Sequence, residues 1–217
     1  MINYDSVFGT EIGVSIYESC EKISNSNLVK YKFNTYSSIA YLLTAFYLYN
    51  NKTNLFLINN IGIAISFLLG IASFFWWASK RENVQKIDIG LYSALILWMG
   101  MYAWCKLYSN RENEISIIFI FTVLYFTYNV CIEKYRKKII TIFNILSFLF
   151  SVSILIYIAE SSKIYNLYPA ISFIVMGFLF KFADTFKVLD PEIIGSGTGW
   201  FHILTALGVA LIWKYLQ

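Results

Sequence analysis

Seven mostly apolar stretches, each close to the roughly 20 residues that carry a helix across a bilayer, occupy most of this 217-residue chain. They fall near residues 33–49, 55–78, 89–108, 115–131, 139–159, 167–182 and 199–216, with short connections between them. Within a bilayer every backbone N–H and C=O must be satisfied inside the protein, so segments of this length are helices. The composition excludes the soluble alternative. Hydrophobic residues make up 58% and charged residues 14%, more apolar surface than a water-soluble domain of this length can hide. The expected fold is an all-α, integral membrane bundle of seven transmembrane helices. No long linker, low-complexity tract or repeat divides it, so residues 1–217 form one domain with 1–32 as a cytoplasmic N-terminal segment. That segment lacks the basic start and apolar run of a cleavable signal peptide.

Orientation follows from the basic residues. Twelve of the seventeen Lys and Arg fall on one side: Lys22, Lys30, Lys32, Lys80, Arg81, Lys86, Lys134, Arg136, Lys137, Lys138, Lys181 and Lys187. The positive-inside rule puts that side, and the N-terminus, in the cytoplasm. The net charge of +4 is thereby accounted for without a nucleic-acid partner. Glu133–Lys138 is a basic juxtamembrane run that serves as a topology determinant, although it has the charge to touch anionic lipid heads. Three cysteines, Cys20, Cys105 and Cys131, form no disulfide framework.

Polar residues gather at the cytoplasmic end of the bundle. With alternating passes, Ser73 at the end of the second segment, Asp88 at the start of the third, Asp184 at the end of the sixth and His202 at the start of the seventh share one face. Glu18, Glu21 and Asn34 join them from the N-terminal stretch. Ionisable groups in or near a bilayer are costly and point to a functional site, although Asp88 and Asp184 also suit ordinary helix ends. Glu18 and Glu21, three apart, suit a solvated acidic face. Gly195-Ser-Gly-Thr-Gly199 looks like a phosphate-cradling loop but has no preceding strand and no following G-K-[ST]; its glycines fit a tight turn into the last helix.

The ordered series Cys20-Glu21, Asn34-Thr35-x-Ser37-Ser38, Ser73-x-x-x-Trp77, Asp88, Phe182-Ala-Asp184 and Trp200-Phe-His202-Ile-Leu-Thr-Ala-Leu-Gly208 resembles the alkaline ceramidases. More distantly it resembles the adiponectin-receptor and haemolysin-III-like proteins that share their seven-helix plan. The resemblance implies a zinc amidase acting on a membrane lipid, possessing three imidazole ligands, a carbonyl-polarising serine and a water-directing aspartate. Ser73, Asp88 and His202 stand at catalytic positions of that pattern. Trp77 and Thr198 stand where the other two zinc ligands belong; indole nitrogen is a donor only, and a hydroxyl is a poor substitute for imidazole. Metal could then be held only by His202 with Asp88 or Asp184, or with groups from a partner chain. The resemblance also implies calcium bound by the N-terminal acids, for which Glu18 and Glu21 match but Ile23 and Tyr31 do not.

The expected function is a ceramidase-like membrane protein without standard zinc amidase chemistry. It would bind a sphingolipid-like membrane lipid as a subunit or sensor, in a pocket lined by Trp76, Trp77, Phe182, Asp184, Thr198 and Trp200. His202 would be a residual base, a proton-sensitive switch, or a buried polar residue bonded to Asp88 or Asp184. Two alternatives remain at this stage: an active lipid amide hydrolase with an altered metal site, and a channel, transporter or membrane-disrupting effector with Asp88, Asp184 and His202 along a polar path. A homo-oligomer or a larger membrane complex suits so small and loop-poor a chain.

Overall fold

The computed structural model describes Glu21 and residues 29–51, 54–131, 136–188, 190 and 195–217. Among these residues all regular structure is helical: α1 (Lys32–Ser37), α2 (Ile39–Asn50), α3 (Phe56–Ser79), α4 (Glu82–Leu107), α5 (Glu112–Cys131), α6 (Arg136–Ser161), α7 (Leu167–Thr185) and α8 (Gly197–Tyr215), with a 3-10 turn at Ser109–Arg111. Ser38 between α1 and α2 keeps right-handed helical angles, so these two make one broken rod and the described residues form seven helical rods. Four helices, namely α3, α4, α6 from Lys138 and α7, are long and apolar enough to cross a membrane. Glu18, Cys20 and the stretch 132–135 lie outside the described residues.

The segment expected from residue 89 begins at Glu82. Its first two turns carry Glu82, Asn83, Gln85, Lys86 and Asp88, whose polarity resembles a loop, yet the helix buries Val84 and Gln85 and is already regular when it reaches Asp88. Asp88 is therefore a residue of the helix body. α4 is the most enclosed of the four candidate spans; its core face from Ala94 to Cys105 packs against α3, α5 and α6.

The two ends of the bundle differ. At the end away from the predicted cytoplasm, Trp98, Tyr102 and Trp213 stack with ring centroids 5.0–5.9 Å apart. The Trp98 indole N–H donates to the Ile58 carbonyl at 2.9 Å and that of Trp213 to the Asn51 carbonyl at 2.6 Å. Each indole thus buries its apolar body and satisfies its one donor. Helices α7 and α8 are the most intimately packed pair. Their approach depends on missing side chains: a Cβ at Gly208 would stand 2.5 Å from Ile174 Cγ1 and 3.2 Å from the Ala170 carbonyl oxygen, the small-residue contact that membrane helices favour.

Candidate functional site

The chain enters α8 through Gly195, whose φ of +76° suits glycine, and Ser196. The Ser196 hydroxyl accepts from the backbone N–H of Thr198 at 3.1 Å and of Gly199 at 3.4 Å, capping the helix. The fully buried Asp184 on α7 reinforces this cap. Its Oδ2 accepts from Thr198 N–H at 2.9 Å, from the Ser196 hydroxyl at 3.3 Å and from the Thr198 hydroxyl. Thr198 in turn receives a hydrogen bond from Lys181 Nζ at 2.8 Å. A relay from Lys181 through Thr198 to Asp184 thus joins the C-terminal end of α7 to the N-terminal end of α8.

His202, one turn into α8, is buried against serines. Ser37 Oγ lies 3.0 Å from Nδ1, with Ser38 Oγ at 3.4 Å, and Ser73 Oγ lies 3.4 Å from Nε2. Ser38 Oγ lies 3.0 Å from Ser73 Oγ and 2.9 Å from the Asn34 carbonyl oxygen, with one hydrogen to give to either, and the Ser37 hydroxyl donates to that carbonyl at 3.0 Å. Ser73 is also hydrogen-bonded to Asp88. The expected direct bond from His202 to Asp88 or Asp184 does not form. Asp184 is occupied by the α8 cap, and Ser73 stands between the imidazole and Asp88. The break at Ser38 delivers two hydroxyls to the imidazole, which the sequence flagged only as a polar opening to the first segment.

Glu21 departs from the expected solvated acidic face. It is half-buried, and its carboxylate accepts from the backbone N–H of Phe33 at 2.7 Å and Asn34 at 3.0 Å, at the start of α1. Burial pushes its carboxyl above the usual value, partly offset by those two hydrogen bonds. Beside it lies Lys80, 6% exposed, with Nζ 4.4, 4.2 and 3.8 Å from the ring centroids of Tyr31, Trp76 and Trp77. Ring faces favour the ammonium, yet burial, assisted by the charge of Lys181, pushes the Lys80 amine down to about 7.

His202, Ser73, Asp88, Thr198 and Lys181 floor a cavity of about 360 Å³ between α3, α4, α6, α7 and α8. Ser73, Asp88, His202, Lys181, Gln85 and Thr198 form its polar part, and Leu69, Trp76, Ile89, Phe148, Phe178 and Phe201 much of its apolar wall. Ile145 and Leu149 of α6, Phe182 of α7 and Phe186 just after it also line it while being exposed on the outside of the bundle. They form an apolar rim on the outside of the bundle. Of the pocket residues expected from sequence, Trp76, Trp77, Thr198 and Phe182 are on the wall. Asp184 lies behind Thr198, and Trp200 packs outside against Phe33 and Phe180. Two wall atoms have no protein hydrogen-bond partner: Trp77 Nε1, in a residue 3% exposed, and Asn144 Oδ1, in one 7% exposed. Sequence reading passed over Lys181 by counting it only toward membrane orientation. Its signal was a charge inside Phe178-Leu-Phe-Lys-Phe182, where the bilayer disfavours one.

The donor set does not fit a catalytic zinc. Trp77 offers a ring face and an N–H donor, the Thr198 hydroxyl is engaged between Lys181 and Asp184, and an ammonium stands beside both. Among the described residues no three His, Cys, Asp or Glu are grouped to hold a metal ion. Glu21 alone of the expected calcium ligands lies within the described residues, with its carboxylate engaged by α1. No protein-family model matches the chain, and no curated protein matches it significantly.

Proposed function

We propose that this chain is a ceramidase-like, seven-pass membrane protein with its N-terminus in the cytoplasm, which binds one acyl chain of a membrane lipid and lacks standard zinc amidase chemistry. The observation that carries the reading is the shape and lining of the cavity. A space of about 360 Å³ is at the small end of ligand pockets, suited to one chain rather than two. Its wall is apolar, its inner end polar, and its rim residues Ile145, Leu149, Phe182 and Phe186 face the lipid side. A lipid tail can enter sideways while its head meets Ser73, Lys181 and His202. The altered-metal amidase draws less support, since Trp77 is an N–H donor only and the Thr198 hydroxyl is engaged between Lys181 and Asp184. An ion path draws less again, because Asp184 is engaged in capping α8.

Native mass spectrometry of the detergent-purified protein with 1-monopalmitoylglycerol should show one bound molecule per chain. The double variant Ile145→Trp/Leu149→Trp, which fills the rim, should abolish it. Wild-type protein that binds no monoacyl lipid would sink the proposal.

A further inference from the structure

Among the described residues lining the cavity, Lys181 is the one cation and Asp88 the one carboxylate. A lysine within an apolar helix is costly unless it is paired. Lys181 meets that cost with the Thr198 hydroxyl at 2.8 Å and the face of Trp77, whose ring centroid is 5.5 Å from Nζ. The same indole carries Lys80 at 3.8 Å, so one aromatic ring serves two cations. Asp88, Asp184 and His202 all lie within Coulombic range of this end of the cavity. The Lys181 ammonium therefore stands where residues 77, 198 and 202 converge.

Resting on the lipid-binding reading of the cavity, we propose that Lys181 is the resident cation of this site, keeping a divalent ion out and binding the head of a neutral, hydroxyl-bearing single-chain lipid. An ammonium presents donors only, and a metal ion brought beside it meets like charge with little water to screen it. The head group is neutral because Asp88 and Asp184 already balance the lysines; a carboxylate head would add a further negative charge beside Asp88. It bears both acceptor and donor because the unpartnered wall atoms are one of each. Trp77 Nε1–H requires an oxygen and Asn144 Oδ1 requires an O–H or N–H, and a buried polar atom without a partner is destabilising until a ligand supplies one.

The metal half is tested without any lipid. Trp77→His/Thr198→His, incubated with zinc, desalted and analysed for metal, should stay substoichiometric while Lys181 is present. Adding Lys181→Ala should bring uptake toward one zinc per chain. Equal zinc in the two variants, at any level, overturns the proposal. The head-group half uses the otherwise unaltered protein: Lys181→Met should weaken 1-monopalmitoylglycerol roughly tenfold, the effect of losing one charged hydrogen bond, and the wild type should prefer that lipid to palmitate. Unchanged affinity in Lys181→Met, or a preference for palmitate, overturns the proposal. Wild type that binds neither probe counts instead against the cavity reading, which the zinc comparison does not depend on.

Discussion

Asp184 offers the sharpest separation of a supporting role from a ligand-binding one. Its Oδ2 accepts from one backbone N–H and two hydroxyls, and Thr198 passes the pull of the Lys181 ammonium to it. Asp184→Ala leaves the Thr198 and Ser196 hydroxyls without that acceptor and the Lys181 charge without its counter-ion. The Thr198 N–H keeps a fallback in Ser196 Oγ at 3.1 Å, so the cap itself is not wholly lost. Removing one partner of a buried charged network costs about 3–5 kcal/mol. Asp184→Asn keeps an acceptor oxygen and loses the charge, for about 1–2 kcal/mol, near the net value of one or two neutral hydrogen bonds. The assay is unfolding of the purified protein in mixed micelles, read by tryptophan fluorescence, with Asn113→Ala at an exposed position as the control. Because Asp184 lies behind the cavity wall, folded Asp184→Asn should retain lipid affinity. Asp184→Ala within about 0.5 kcal/mol of wild type, the range of ordinary surface substitutions, would refute the reasoning, as would equal losses in the two variants.

Lys80 makes stability depend on pH. Its folded value of about 7 lies below the free value of 10.5, so above pH 7 the folded state sheds a proton that the unfolded state keeps. Stability should therefore rise with pH between about 7 and 10, by at most about 1.4 kcal/mol per unit, and be lost as pH falls back through that window. Thermal unfolding in detergent should show this slope in wild type and a flatter profile in Lys80→Met; equal profiles would mean that the three rings hold the amine charged throughout. Gly208→Ala should destabilise by about 1–3 kcal/mol, the cost of overpacking, because Ile174 and the Ala170 carbonyl leave no room for a methyl group. Unfolding measurements that find it neutral would show that α7 and α8 can separate freely.

The helices were legible because the bilayer requires about 20 apolar residues per pass, and that length signal survives without any alignment. The clustering of Ser73, Asp88 and His202 at one end was legible too, since alternating passes dictate which helix ends meet. The bonding among them was not. That Ser73 stands between His202 and Asp88, or that Asp184 faces α8 instead of the cavity, depends on rotation of each helix about its axis, which periodicity resolves poorly when nearly every position is apolar. Lys181, Gln85 and Asn144 escaped for a related reason. A single polar residue in an apolar helix reveals its importance only when the neighbouring helix surface is known.

The stack of Trp98, Tyr102 and Trp213 decides which helices stay together at the end remote from the cavity. Its rings link α4 and α8, and their indole N–H groups tie them to the start of α3 and to the loop at Asn51. The bundle is therefore clamped at one end and hollow at the other. If a lipid tail enters between α6 and α7, the stack holds α3, α4 and α8 together at the far end while it does so.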